Sequence, residues 1–322
     1  MPLVNYQDFA DKDASYACNH RIDTEDKLRL LMECLEAQEN LIIRGVSEAK
    51  YRMYSSSQRH WITNDGIRMT FNAADYRTFI LQAIERVKYD ELFSRYFCEH
   101  QIPVNDIVIL AMLQHYANIS PLLDFTTDAF SALFFAQDGA GAVVGNGQLD
   151  DYISLYAIDK RCDWMKATLQ RVNQEAAQRA NSLLEDLGEH IDTADVEQDF
   201  MSLNFSRLEG LDFIRVEGPE RGVVEAAMPY INFRCQYFVD NPRLTAQSGQ
   251  FILNNTETEP LAEVMNSVIN LKIIQCYNIH KNLIPHVNQT YLEPRGISRD
   301  TLYCNSEESR MLESRIKELF GI

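Results

Sequence analysis

Residues 113–137, "LQHYANISPLLDFTTDAFSALFFAQ", constrain the fold more tightly than any other stretch of the chain. The stretch opens with a Gln114-His115-Tyr116 cluster at the polar end of a predicted helix, "VNDIVILAMLQHYA", for which Asn105 or Asp106 supplies the cap. Pro121 cannot sit inside that helix, because it lacks an amide proton and its ring clashes with the preceding turn. "PLLDF" must therefore be a new, extended segment. Thr126, Thr127 or Asp128 then caps another helix, whose buried side is expected to include Ala132, Phe135 and Ala136. One residue does not suit an ordinary buried strand. Asp124 stands between Leu123 and Phe125, and a carboxylate is costly to bury unless it is paired or hydrogen-bonded.

The flanking segments supply the rest of a layered fold. Residues 23–40 read as an amphipathic helix with Asp23 or Thr24 as cap and Leu28, Leu31, Met32 and Leu35 as its apolar stripe. "LIIRG" follows as a short buried strand stopped by Arg44 and Gly45, and residues 73–98 carry a further helical pattern. "DYISLYAID" reads as a strand, and the polar stretch from about 159 to 205 reads as an inserted helical excursion. "LDFIRVE", "YINFRCQYFV", "GQFILN" and "LKIIQCYNI" return to strand patterns. This order predicts an α+β fold, with a mixed, mainly antiparallel sheet, flanking helices and an inserted helical stretch, over a βαβ arrangement.

Several function classes are disfavoured at once. A net charge of −17 repels polyanions, so non-specific nucleic-acid binding and anionic membrane surfaces are not expected as partners. A local basic pocket for a small phosphate ligand remains compatible with that sum. The seven cysteines contain no CxxC pair, and the histidines form no HExxH, so no metal site is expected. The glycine-rich "GAGAVVGNGQ" matches neither a dinucleotide nor a P-loop fingerprint and reads as a surface loop. The polar N-terminus and the lack of a run of about 18 apolar residues point to a cytoplasmic protein without a membrane span.

The charged residues in apolar surroundings are the functional candidates. Arg44 after "LII" either pairs with Asp124 inside the structure or holds the phosphates of a ligand by its planar fork. His115 is either a hydrogen-bonded structural residue or a ligand contact or general acid/base, since imidazole titrates near neutrality. "SSSQRHW" at 55–61 brings Arg59 and His60 to a polar loop that can line a site near Arg44. "RLTAQSGQFIL" sets Gln247 and Gly249 before a strand, where glycine marks a turn or a close backbone approach.

Taken in order, these fragments resemble the FRG domain family. Its Phe-Arg-Gly motif stands here as Ile43-Arg44-Gly45, and its QHYGxPTRLLDWT motif as "QHYANISPLLDFT". Its arginine followed by QxGxF stands as "RLTAQSGQF", and "IHKNLIPHVNQTYLEPRGISRDTLYC" is similar to its closing segment. The resemblance implies an N-terminal helical lead-in at 1–40, an FRG-like domain at 41–305 interrupted at about 159–205, and a C-terminal helix at 306–322. This chain departs from the pattern at Ala117, where the family has glycine, and at Ser120-Pro121, where it has Thr-Arg.

A fainter resemblance, to ADP-ribosyltransferases, implies an NAD-type nucleotide pocket with ADP-ribosyl transfer or NAD hydrolysis as its reaction. On that resemblance Arg44 positions the nucleotide and Thr126 supports its ribose and nicotinamide; the pocket expected here has Arg44, Gly45, Gln114, Tyr116 and Thr126 as ligand-binding residues and Asp124, His115 and Gln247 as catalytic candidates. The position of the transferase glutamate carries Gln247, so the carboxylate has to come from Asp124 or Glu257. The alternative is a non-catalytic binding or interaction module in which Arg44 and Asp124 form a structural pair.

Overall fold

The computed structural model describes residues 2–159 except 101 and 103, the strands at 213–217, 222–227 and 232–237, and residues 242–321 except 270, 271 and 305. The helical excursion expected at about 159–205 lies, past residue 159, outside the described residues. The strands are β1 (Cys18–Ile22), β2 (Leu41–Val46), β3 (Leu122–Thr126), β4 (Tyr152–Asp159), β5 (Phe213–Glu217), β6 (Gly222–Ala227), β7 (Asn232–Tyr237), β8 (Gly249–Asn254) and β9 (Gln275–His280). Seven of them form one sheet in the order β1-β9-β4-β2-β3-β8-β5, and β6 pairs with β7. Only β1 and β9 run parallel; the other neighbours are antiparallel, so the fold is α+β with a mixed, mainly antiparallel sheet.

Period-two alternation sorts the apolar side chains between the two faces. Ile42, Leu123, Phe125, Tyr156, Ile158 and Ile252 pack together on one face, with Tyr6, Tyr16 and Met265. The other face is covered by two separate helical layers. Helices Glu25–Glu36 and Ala129–Gln137 pack Leu28, Leu31, Ala132 and Leu133 onto Leu41, Ile43, Leu155 and Ala157. Helices Tyr76–Lys88, Glu91–Glu99, Asp106–Tyr116 and Glu307–Phe320 pack Phe79, Phe93, Leu110 and Ile316 with Leu122, Phe251 and Leu253.

The continuous helical pattern expected at 73–98 breaks in two. Asp90 caps the second helix through the amides of Leu92 and Phe93, and its other oxygen accepts from Arg315 Nη2 at 2.6 Å. A tertiary ion pair thus fixes a boundary that periodicity alone does not mark. The N-terminal segment is fastened to the sheet by Lys12, whose ammonium is fully buried and donates to Ala49 O, Ser154 Oγ and Asn278 Oδ1 at 2.7, 2.8 and 2.7 Å.

The sheet is weakest at its middle. β2 and β3 are paired at a single register position, Ile43 opposite Thr126. Helix Ala129–Gln137 crosses β2 beside that seam and comes so close that a Cβ on Gly45 would stand 2.0 Å from Ala132 O and 2.5 Å from Ala136 N. Both are backbone atoms and cannot swing aside. Gly45→Ala is therefore expected to cost at least about 1–3 kcal/mol. Gly66→Ala, where nothing lies within 4 Å, is expected to cost nothing by this route. Urea unfolding of the two variants checks the contrast.

Candidate functional site

At the seam, where the two helical layers meet over β2 and β3, lies a cavity of about 650 Å³. The eight residues singled out in the sequence, Arg44, Gly45, Gln114, His115, Tyr116, Asp124, Thr126 and Gln247, all line it. Their convergence has a local cause. Helix Asp106–Tyr116 ends where Asn118 takes a left-handed conformation, φ 55°, and the Ile119 amide reaches back to Leu113 O at 3.3 Å. The chain reverses there, so the polar end of the helix faces β3. Ala117 keeps φ −118° and ψ −19°, so this turn has no need of the family's glycine at that position.

Asp124 is the centre of the arrangement. Gln114 Nε2 donates to its Oδ2 at 2.6 Å, and Gln114 Oε1 accepts from Ser56 Oγ at 2.9 Å. Arg44 Nη1 donates to the main-chain carbonyl of Asp124 at 2.7 Å and stands 3.8 Å from the carboxylate. The main-chain bond is the short one; the ion pair is loose. Burial pushes the Arg44 guanidinium below its ordinary value, and the charge of Asp124 acts in the opposite direction. Arg44 Nε and Asp124 Oδ1 are both buried without a hydrogen-bond partner. Each such orphan calls for an explanation, as do the five other unpartnered buried side-chain atoms among the described residues, none of which lines this cavity.

His115 lies 3.6 Å from Asp124 Oδ1, too far for a hydrogen bond, and packs edge-on against Phe251. Burial pushes its imidazole down to about 4, with Arg243 adding to the effect and Asp124 opposing it. It is thus neutral at neutral pH. Tyr116 lies beneath the Arg243 guanidinium, 4.4 Å from the ring centre. Thr126 has its hydroxyl engaged, donating to Gln247 O at 2.6 Å and accepting from the Asp128 amide at 2.9 Å. Gln247 Nε2 donates to Leu302 O at 3.1 Å. Gly45 borders the cavity, but the close helix crossing is what requires a glycine there.

Further walls come from Arg59, Asn118, Phe135, Asp138, Arg243, Tyr303 and Lys317. Arg59, on helix Ser56–Thr63, is half-buried and makes no hydrogen bond or ion pair with its side chain among the described residues. Burial and the neighbouring charge of Arg44 push it down to about 10, against the pull of Asp124. Phe135 is partly buried, packed against the core under its helix while also bordering the cavity, and stands edge-on to Tyr303. Tyr303 donates to Asp138 Oδ2 at 3.2 Å, and burial with that carboxylate pushes its phenol up to about 12. Arg243 donates to the carbonyls of His115 and Tyr303 and to Glu313 Oε2.

Glu257, the other candidate carboxylate, accepts from the Trp61 indole at 2.5 Å and is no part of the cavity wall. His60 likewise stays off the wall, bonded to Asp65 and to Asn118 O. Pro121 does not line the cavity either. Asp138 and Lys317 carry no signal in motif or spacing, and Tyr303 falls in the closing segment that resembles the family's without standing out there as a site residue. Asp138 is brought in by the end of helix Ala129–Gln137, and Tyr303 and Lys317 by tertiary packing of the C-terminal segments.

The acid dependence of stability follows from His115. Its pKa is lowered from 6.5 to about 4, so between those values the unfolded chain binds a proton that the folded chain refuses. The contribution is complete above pH 6.5 and lost as pH falls toward 4, about 3 kcal/mol in all. Urea unfolding from neutral pH down to about pH 4 is expected to show a smaller acid loss in His115→Gln than in wild type.

The family model described as FRG domain matches residues 39–142, which include both Ile43-Arg44-Gly45 and the Gln114–Thr126 stretch. Neither the curated proteins nor the solved structures gave a match to the chain.

Proposed function

We propose that this chain, which carries an FRG domain at residues 39–142, uses the seam cavity to bind a nucleotide of the NAD type. The observation that carries the reading is the convergence of a charged guanidinium, a carboxylate with an unpartnered oxygen and aromatic walls in one cavity. A cavity of about 650 Å³ lies in the range of small-ligand pockets. Arg44 faces phosphate, Tyr303 and Phe135 offer apolar ring surface, and Asp124 with Gln114 faces ribose. Tyr116 supports this wall from under Arg243, not as an open stacking face.

The reaction class that suits Asp124 is cleavage of the bond between ribose and nicotinamide, by transfer to an acceptor or by hydrolysis. The bond's electron pair leaves with nicotinamide, and the positive charge developing at the ribose carbon is stabilised by a nearby carboxylate. The incoming acceptor or water then bonds to that carbon and releases its proton to solvent. His115, neutral and pushed down to about 4, is too weak a base to lead that step and serves to hold the back of the pocket. Gln247 supplies an amide and no charge.

A second reading has its own support in the short bond from Arg44 to the Asp124 carbonyl, 2.7 Å, which is structural whatever the cavity binds. The two separate by thermal unfolding with millimolar NAD. Saturation at 100 times Kd stabilises the native state by about 2.7 kcal/mol. Wild type is expected to shift, and Asp124→Asn is expected to keep most of the shift while losing nicotinamide release by about 100-fold or more. A wild type that does not shift, with Arg44→Ala destabilised by about 1.5–3 kcal/mol, supports the non-catalytic module.

A further inference from the structure

We infer that Arg59 and Arg44 together form a phosphate subsite, so that the ligand is held by a phosphate or diphosphate group and not by its base or sugar alone. The inference rests on the nucleotide pocket proposed above and adds a residue that the motifs do not contain.

Charge is the first ground. The chain carries −17, yet the charged residues on the cavity wall are Arg44, Arg59, Arg243 and Lys317 against Asp124 and Asp138. Three of these have ion-pair partners, although Arg243 and Lys317 share the single charge of Glu313. Arg243 and Lys317 both bind Glu313 at 2.9 Å, and Asp138 binds Arg299 at 3.0 Å. Arg44, Arg59 and Asp124 remain, two positive charges against one negative.

Geometry is the second. Arg59 makes no hydrogen bond or ion pair with its side chain among the described residues, although it lines the same cavity as Arg44 and the charges of the two act on each other. Its position is not a matter of a loose surface helix. The helix start is fixed by a capping box between Ser55 and Gln58, and Gln58 Nε2 is anchored to Thr256 O and Glu259 O at 2.8 and 2.9 Å. The single charge of Asp124 acts on both guanidiniums, so one positive charge is left over, and partly buried charges normally find partners. Arg44 Nε is a buried donor with nothing to bind. A tetrahedral oxyanion offers acceptors to both forks and removes the repulsion.

The test is calorimetric titration and thermal unfolding of the full chain with ADP-ribose, adenosine and inorganic diphosphate. Wild type is expected to bind ADP-ribose and diphosphate but not adenosine. Arg59→Gln is expected to weaken both anions by at least about tenfold, equivalent to about 1.4 kcal/mol. Its unliganded unfolding temperature should be unchanged or higher, because a repulsion is removed; a merely structural arginine would lower it. Arg59→Lys should recover only part of the affinity, since it keeps the charge and loses the fork. Equal ADP-ribose affinity in wild type and Arg59→Gln overturns the subsite and leaves the pocket standing. Diphosphate binding that depends on Arg59, without ADP-ribose binding, supports the subsite and removes the nucleotide reading. Failure of both anions to bind wild type overturns both.

Discussion

The bond from the Arg44 guanidinium to the Asp124 carbonyl is the interaction on which the centre of this structure depends. β2 and β3 share one register position, so Asp124 has no β2 partner in the ladder. A side chain takes the place of the missing backbone donor. Hydrogen bonds to charged groups stabilise by about 1.5–3 kcal/mol, enough to hold an open seam in an otherwise continuous sheet. The opening is also what allows a cavity between two helical layers. A full ladder at this point would leave no space for one.

A chain of polar contacts carries that junction outward. Asp124 is tied to Gln114, Gln114 to Ser56, and Ser56 to the Ser120 amide at 2.9 Å. The end of one helix, the start of another and the entry to β3 are thus fixed relative to one carboxylate. Pre-organisation of this kind suits a site, because the polar groups are held before any ligand arrives. It also explains why Arg44 serves structure and ligand together. One nitrogen supports the sheet while another remains without a partner.

Much of this was legible in the residues, for stated reasons. Pro121 forced the break between helix and strand, Asn105 and Asp128 are the caps observed, and Asp124 in an apolar strand drew attention because burying a charge is expensive. Gly45 was legible as a motif residue, but its reason, contact with the backbone of a crossing helix, needs coordinates. The helix break at Asp90 has a local signal in its capping carboxylate, which accepts from the Leu92 and Phe93 amides, and a tertiary support in Arg315, some 225 residues away in sequence. Phe135 packs against the core as its apolar pattern implies, but the pattern does not show that the ring also borders a cavity. Tyr303 and Lys317 lie near the C-terminus, where an amphipathic pattern distinguishes inside from outside but not which cavity a side chain meets.

A crystal structure of the full chain grown with ADP-ribose tests the central claim most directly, because it locates the ligand instead of inferring it from stability. The predicted result is density in the seam cavity, with the diphosphate between Arg44 and Arg59 and a ribose hydroxyl at Asp124 Oδ1. An empty cavity at saturating ligand, or ADP-ribose bound elsewhere with both guanidiniums turned from it, contradicts the claim and leaves Arg44 as a purely structural brace.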